Sequence, residues 1–171
     1  NYSGGTQRND LNKILQDTDN NTSVEIETIP NSSYLDKEQL SDFLRTYSSS
    51  FVILSLNAQS LNAKYDEILI LVNSLQDKNL HFSAIALQET WFKDGQDISS
   101  FDIPQYELIS QGRSCSAHGG LAIYLHCEYS YKPIFSQVTS VHWEGQAIEI
   151  SSESLHRNIK LCNVYRPPRH N

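Results

Sequence analysis

Asn57 and Glu89 each stand at the polar end of a short apolar run. Phe51-Val52-Ile53-Leu54 leads to Leu56-Asn57, and Phe82-Ser83-Ala84-Ile85-Ala86-Leu87 leads to Gln88-Glu89. If both runs are strands of one parallel pair, the amide and the carboxylate emerge side by side at the carboxyl edge of the sheet, where open α/β folds bind ligands. An amide carbonyl and a carboxylate are hard oxygen donors, the kind taken by Mg²⁺ or Mn²⁺, which keep several waters for a phosphate substrate. Tyr165 closes a third apolar run that begins at Ile159, and from the same edge its hydroxyl can polarise or deprotonate a substrate group. The alternative is that Asn57 begins a turn, Glu89 caps the loop at Trp91 and Tyr165 is a core rim residue.

The segments around these residues predict the elements that position them. Phe51 to Leu54 is a continuous apolar run between Ser48-Ser49-Ser50 and Asn57-Ala58-Gln59-Ser60, which predicts a strand buried on both faces. Tyr65, Ile68, Leu69, Val72 and Leu75 follow at helical spacing, with Asn62 placed to cap the helix, and Phe82 to Leu87 predicts a second buried strand. Strand, helix and strand at this spacing predict a right-handed βαβ unit with parallel strands. Upstream, Leu35, Leu40, Phe43 and Leu44 suit a short helix capped by Asp36 with Gln39 three residues on, and Val24 to Ile29 carries a weak strand signal. Downstream, Tyr106-Glu107-Leu108-Ile109, Leu121 to Leu125 after Gly119-Gly120, Ala147 to Ile150 and Ile159 to Val164 supply further short strands. The fold class expected is α/β, with a mixed sheet. No internal repeat is present.

Length and composition set the frame. The 171 residues suit one domain, with residues 1–33 a polar segment that reads as disordered or a linker and residues 34–171 the folded part. More than half of the first 23 residues are Asn, Gln, Ser or Thr. The chain opens at Asn1 and holds no methionine, so it is expected to be a piece of a longer product. No apolar run is long enough to span a bilayer and no basic-then-apolar leader opens the sequence, which argues against a membrane protein. Thirteen basic against twenty acidic side chains leave a net charge of -7, which argues against gripping phosphate backbones by bulk electrostatics and leaves only a local phosphate-facing patch. Three cysteines without a CxxC spacing point to a reducing, intracellular compartment, nuclear or cytoplasmic, and away from a disulfide framework. The sequons at Asn20, Asn21 and Asn31 lie in a stretch so rich in Asn, Ser and Thr that they carry little weight.

Four motifs now fall in order: Leu56-Asn57-Ala58-Gln59-Ser60-Leu61, Leu87-Gln88-Glu89-Thr90-Trp91, Gly119-Gly120-Leu121-Ala122-Ile123-Tyr124 and Asn163-Val164-Tyr165-Arg166-Pro167-Pro168. In order and spacing they resemble the opening half of the endonuclease/exonuclease/phosphatase superfamily. Within it they look most like the apurinic-type endonuclease domain of non-LTR retrotransposons, the domain associated with a reverse transcriptase. The resemblance runs from about Tyr34 to the last residue.

This resemblance implies a partial α/β sandwich and a nuclease site. Asn57 would organise the phosphate and metal, Glu89 would ligate Mg²⁺ or Mn²⁺, and Tyr165 would lie at the scissile phosphate of a DNA phosphodiester substrate. The family's metal stabilises charge on the phosphate and the leaving oxygen. Arg113 and Arg166 are candidate phosphate contacts, because guanidinium pairs bidentately with phosphate oxygens, or else solvated surface arginines. Gln59 stands where the family often carries a charged or more polar residue. The family completes its site with a Gly-Asp-x-Asn run, a further aspartate and a Ser-Asp-His end. No aspartate follows Asp102 here, and the one histidine beyond Tyr165 is His170. The expectation is therefore an N-terminal fragment that does not cleave DNA alone and exposes an apolar face and a strand edge.

Two other readings compete. A catalytically dead module of the same fold, kept for binding or regulation, accords with the acidic charge and the missing residues. A zinc or thiol site from Cys115, His118, His126 and Cys127 is disfavoured, because His126 and Cys127 are neighbours on an expected strand and point to opposite faces. A Cys-His nucleophile pair lacks any orienting third group.

Overall fold

A computed structural model of the chain describes residues 35–111, 119–139 and 143–166. The first element, α1 (Lys37–Thr46), begins at a capping box: Asp36 Oδ1 accepts from the Glu38 and Gln39 N–H groups at 2.9 and 2.8 Å, and Gln39 Oε1 accepts from the Asp36 N–H at 3.0 Å. Next come β1 (Ile53–Asn57), α2 (Leu61–Gln76) and β2 (Ala84–Gln88). The two strands are parallel, in register from Ile53 opposite Ala84 to Asn57 opposite Gln88. The expected strand over residues 24–29 lies outside the described residues.

Antiparallel strands β3 (Tyr106–Gln111) and β4 (Leu121–His126) complete a mixed four-stranded sheet in the order β1-β2-β4-β3. Then β5 (Ser130–Thr139), β6 (Glu144–Ser151) and β7 (Ile159–Tyr165) form an antiparallel three-stranded sheet in sequence order. The protein is thus mixed α/β, with two helices and two sheets among the described residues.

The two apolar runs at the centre of the first sheet serve two cores at once, which is why they show no alternation. Ile85 and Leu87 of β2 and Ala122 and Tyr124 of β4 pack with Ile68, Val72 and Leu75 of α2 and Leu44 of α1. Their neighbours in the pleat, Ala84, Ile123 and Leu125, face Ile148, Ile150 and Leu161 of the second sheet. Each of the Val, Leu and Ile side chains among them contributes roughly 1.5 to 3 kcal/mol of hydrophobic burial.

β1 does not share this environment. It is one of the two edge strands of its sheet among the described residues, none of its residues is fully buried and Ile53 is 41% exposed, so the expectation of a strand covered on both faces is corrected. Asn62 likewise does not cap α2. The helix starts one residue earlier, and its Leu61 N–H is satisfied by the Thr90 carbonyl at 3.0 Å, supplied by the loop after β2. No described helix is long and apolar enough to cross a membrane.

Gly119 and Gly120 introduce β4 at φ of +92° and +88°. A Cβ at Gly120 would stand 2.7 Å from Thr90 Oγ1, a side chain that is 2% exposed and cannot withdraw to solvent. Gly120→Ala is expected to destabilise the fold by about 2 to 3 kcal/mol, from left-handed strain plus overpacking. Chemical denaturation checks it, and a loss below about 0.5 kcal/mol would show that the loop relaxes freely.

Candidate functional site

Asn57 and Glu89 leave the sheet from adjacent parallel strands, and the two loops that follow are joined by backbone hydrogen bonds. The N–H groups of Ala58, Ser60 and Leu61 donate to the carbonyls of Gln88, Glu89 and Thr90 at 2.8, 2.9 and 3.0 Å. On its other side the Glu89 loop is held by the glycine pair, with Thr90 N–H to Gly120 O at 3.2 Å and Trp91 N–H to Gly119 O at 2.8 Å. The path is strained: Gln59, Ser60, Glu89 and Trp91 all take positive φ, from +46° to +89°. Non-glycine residues hold that region only where surrounding bonds impose it, and such residues concentrate at functional sites.

The strain places the Glu89 carboxylate between two donors. Asn57 Nδ2 donates to Glu89 Oε1 at 2.8 Å, and the Tyr165 hydroxyl donates to the same oxygen at 2.7 Å. All three residues proposed from strand ends therefore meet at one carboxylate. Asn57 presents its nitrogen to Glu89, while its carbonyl oxygen accepts from the Gln59 N–H at 3.2 Å. In this arrangement Asn57 orients the carboxylate that it was expected to assist as a metal ligand. Arg166 is exposed immediately beyond β7, and none of the described contacts joins it to the site. Arg113 lies outside the described residues.

Asn163 carries as much of the geometry, and sequence reasoning assigned it no role. Along β7 the inward face reads Leu161, Asn163, Tyr165, each two residues from the next. Leu161 enters the core between the sheets. Asn163, 3% exposed, donates through Nδ2 to the carbonyls of Leu87 at 2.9 Å and Ala122 at 3.2 Å, an opposed pair of β2 and β4. Its Oδ1 accepts from Gln88 Nε2 at 2.6 Å. This amide fixes the second sheet on the first at the point where Tyr165 must reach Glu89. The period-two alternation of β7 is the signal that could have found it.

Glu144 was also missed. It opens β6 opposite Tyr165, is fully buried, and accepts the Gly120 N–H at 2.8 Å through Oε2. Burying a carboxylate is costly unless such donors hold it, so Glu144 ties the glycine pair to the second sheet beside the site. Nothing in the local sequence marks it, since an acid ahead of an apolar run reads as a solvated strand end.

The donor set suits a hard divalent cation. A carboxylate aimed by an amide and a hydroxyl offers oxygen, and Mg²⁺ is commonly bound by only one or two carboxylates while keeping waters. No protein-family model matches the chain, and no curated protein matches it.

Proposed function

We propose that the chain is the N-terminal part of a Mg²⁺-dependent DNA-nicking endonuclease domain of the non-LTR retrotransposon type, unable to cleave by itself. The observation that carries this reading is the convergence of Asn57 and Tyr165 on the Glu89 carboxylate at the carboxyl edge of two parallel strands. The two packed sheets with helices against the first support an endonuclease/exonuclease/phosphatase-like sandwich. Glu89 would hold Mg²⁺ or Mn²⁺, and the bound ion would offset charge developing on the phosphate and the leaving oxygen.

The chain's own residues have distinct parts. Asn57 and Tyr165 fix the direction of the Glu89 carboxylate, and Asn163 fixes Tyr165. The Tyr165 hydroxyl, whose one proton goes to Glu89 Oε1, would turn it toward a phosphate oxygen once the bound ion takes up that carboxylate, and Arg166, with Arg113, would meet neighbouring phosphates of the DNA strand. Among these 171 residues no aspartate follows Asp102, so the water-activating groups of the family are not supplied here.

The test is relaxation of supercoiled plasmid with and without chelator. The chain alone is expected to leave the plasmid intact, because acid–base and electrostatic groups are each worth roughly a hundredfold or more in rate. Joined to a second half from the family, it is expected to nick in a Mg²⁺-dependent manner. Chelator-sensitive nicking by the 171-residue chain alone would overturn the inertness, and no nicking by the joined protein would overturn the nuclease reading. The net charge of -7 favours the second reading, a binding module of the same fold, and that module predicts the silent outcome. In the joined protein Tyr165→Phe is expected to lower turnover about tenfold to a hundredfold while changing DNA affinity less than about threefold, if its hydroxyl acts in the transition state. A comparable loss in affinity would make it a ground-state contact.

A further inference from the structure

At the opposite end of the first sheet lies a second cluster of ligating groups. His81 precedes β2, His126 ends β4 and Glu128 follows in the turn. His81 and Glu89 flank β2 and are eight residues apart, so at about 3.3 Å per residue the two clusters stand up to about 26 Å apart. His81 Nε2 and His126 Nδ1 each lie 3.5 Å from Glu128 Oε2, and one ligand atom from each of the three residues falls within 4.8 Å of the others.

We propose that His81, His126 and Glu128 form a Zn²⁺ site, with water completing the coordination. Two imidazoles and one carboxylate are borderline donors that suit zinc and its transition-metal neighbours and do not suit Mg²⁺. Independent support comes from His126 itself. Its side chain is 9% exposed, and its Nδ1 is buried with no hydrogen-bond partner among the described residues, although Glu128 Oε2 lies 3.5 Å away. A buried polar atom in that condition is rare and calls for a ligand.

The surroundings hold His126 in place, while His81 is partly open to solvent. The ring of Tyr106 meets His126 edge-on with centroids 5.3 Å apart, and the Tyr106 hydroxyl is fixed by the Phe82 carbonyl at 2.8 Å and N–H at 3.1 Å. His81 stacks on His126 at 3.9 Å with a 9° angle between planes. An imidazole binds a metal in the plane of its ring, so both rings can share one ion only if His81 turns out of the stack. Its side chain is 34% exposed against 9% for His126, so His81 is the ring that would turn. Zinc would then clamp the segment before β2 to the end of β4.

Titration of the 171-residue chain with Co²⁺, followed by its visible ligand-field absorption and by competition with Zn²⁺, tests the site. One equivalent is expected to bind with the strong visible band of four-coordinate Co²⁺, which an octahedral ion on the oxygens at Glu89 does not give, and the thermal midpoint is expected to rise with Zn²⁺ and to return with chelator. Glu128→Gln and His81→Ala alter exposed or half-exposed side chains, so both should fold, which far-UV circular dichroism in chelator checks. Each should weaken Co²⁺ binding by at least about tenfold. Absence of a ligand-field band in the intact chain would overturn the site. So would a band that both variants keep and Cys115→Ser or Cys127→Ser removes, which would assign the metal to the thiols.

Discussion

Glu89→Gln is expected to lower Mg²⁺-dependent nicking by the joined endonuclease by about a thousandfold, the scale set by removing a preorganised charge at a phosphoryl site. The substitution is nearly isosteric. Its carbonyl oxygen can still accept from Asn57 Nδ2 and from the Tyr165 hydroxyl, the two bonds made by Glu89 Oε1. The variant should therefore fold with the same strained loop and lose only the negative charge. Activity and fold separate in this experiment, which a truncation such as Glu89→Ala would not allow. Counting free Mn²⁺ by electron paramagnetic resonance gives the same answer without cleavage, because the variant chain should bind the ion more weakly. An unchanged cleavage rate would remove Glu89 from the metal site.

Elements with a private signal were legible in the sequence. The capping box at Asp36 and Gln39 fixed the start of α1, and the helical stripe from Ile68 to Leu75 between two apolar runs placed β1, α2 and β2 in parallel order. What failed depended on neighbours distant in the chain. An apolar run such as Phe51 to Leu54 reads the same whether its strand is central or at an edge, and β1 lies at an edge, paired on one side with β2, while β4 takes the other side of β2. The start of α2 is set by the Thr90 carbonyl, some thirty residues away in sequence, so Asn62 had only a misleading local signal. β5 escaped notice because Pro133 interrupts it and its pairing slips on either side of Phe135, features tolerated in an edge strand such as β5 is among the described residues. The candidate site divides in the same way. Asn57, Glu89 and Tyr165 stand at strand ends that motif spacing reveals, whereas Asn163 and Glu144 matter only through what they touch across the sheets.

Asn163→Leu is expected to cost about 3 to 4 kcal/mol of stability, among the larger effects available to one side chain here. Leucine keeps the volume but deletes all three hydrogen bonds, leaving the Leu87 and Ala122 carbonyls facing an apolar group in a buried interface and the half-buried Gln88 amide with its longer bonds to Ser55 Oγ at 3.3 Å and the Ala86 carbonyl at 3.5 Å. Denaturant midpoints with an unchanged slope would report the loss. A double-mutant cycle locates it. Replacing both members of a buried pair removes the unsatisfied group that a single replacement leaves, so Asn163→Leu with Gln88→Leu should cost less than the sum of the two single variants by about 1 kcal/mol or more. Strict additivity would mean that the 2.6 Å bond between them carries no net stability. The same substitution reaches the site. Tyr165 is two residues further along the same face of β7, so loosening Asn163 should free Tyr165 from Glu89 and lower turnover even where the protein remains folded. Full turnover in a folded Asn163→Leu protein would show that Tyr165 finds Glu89 without the second sheet being pinned to the first.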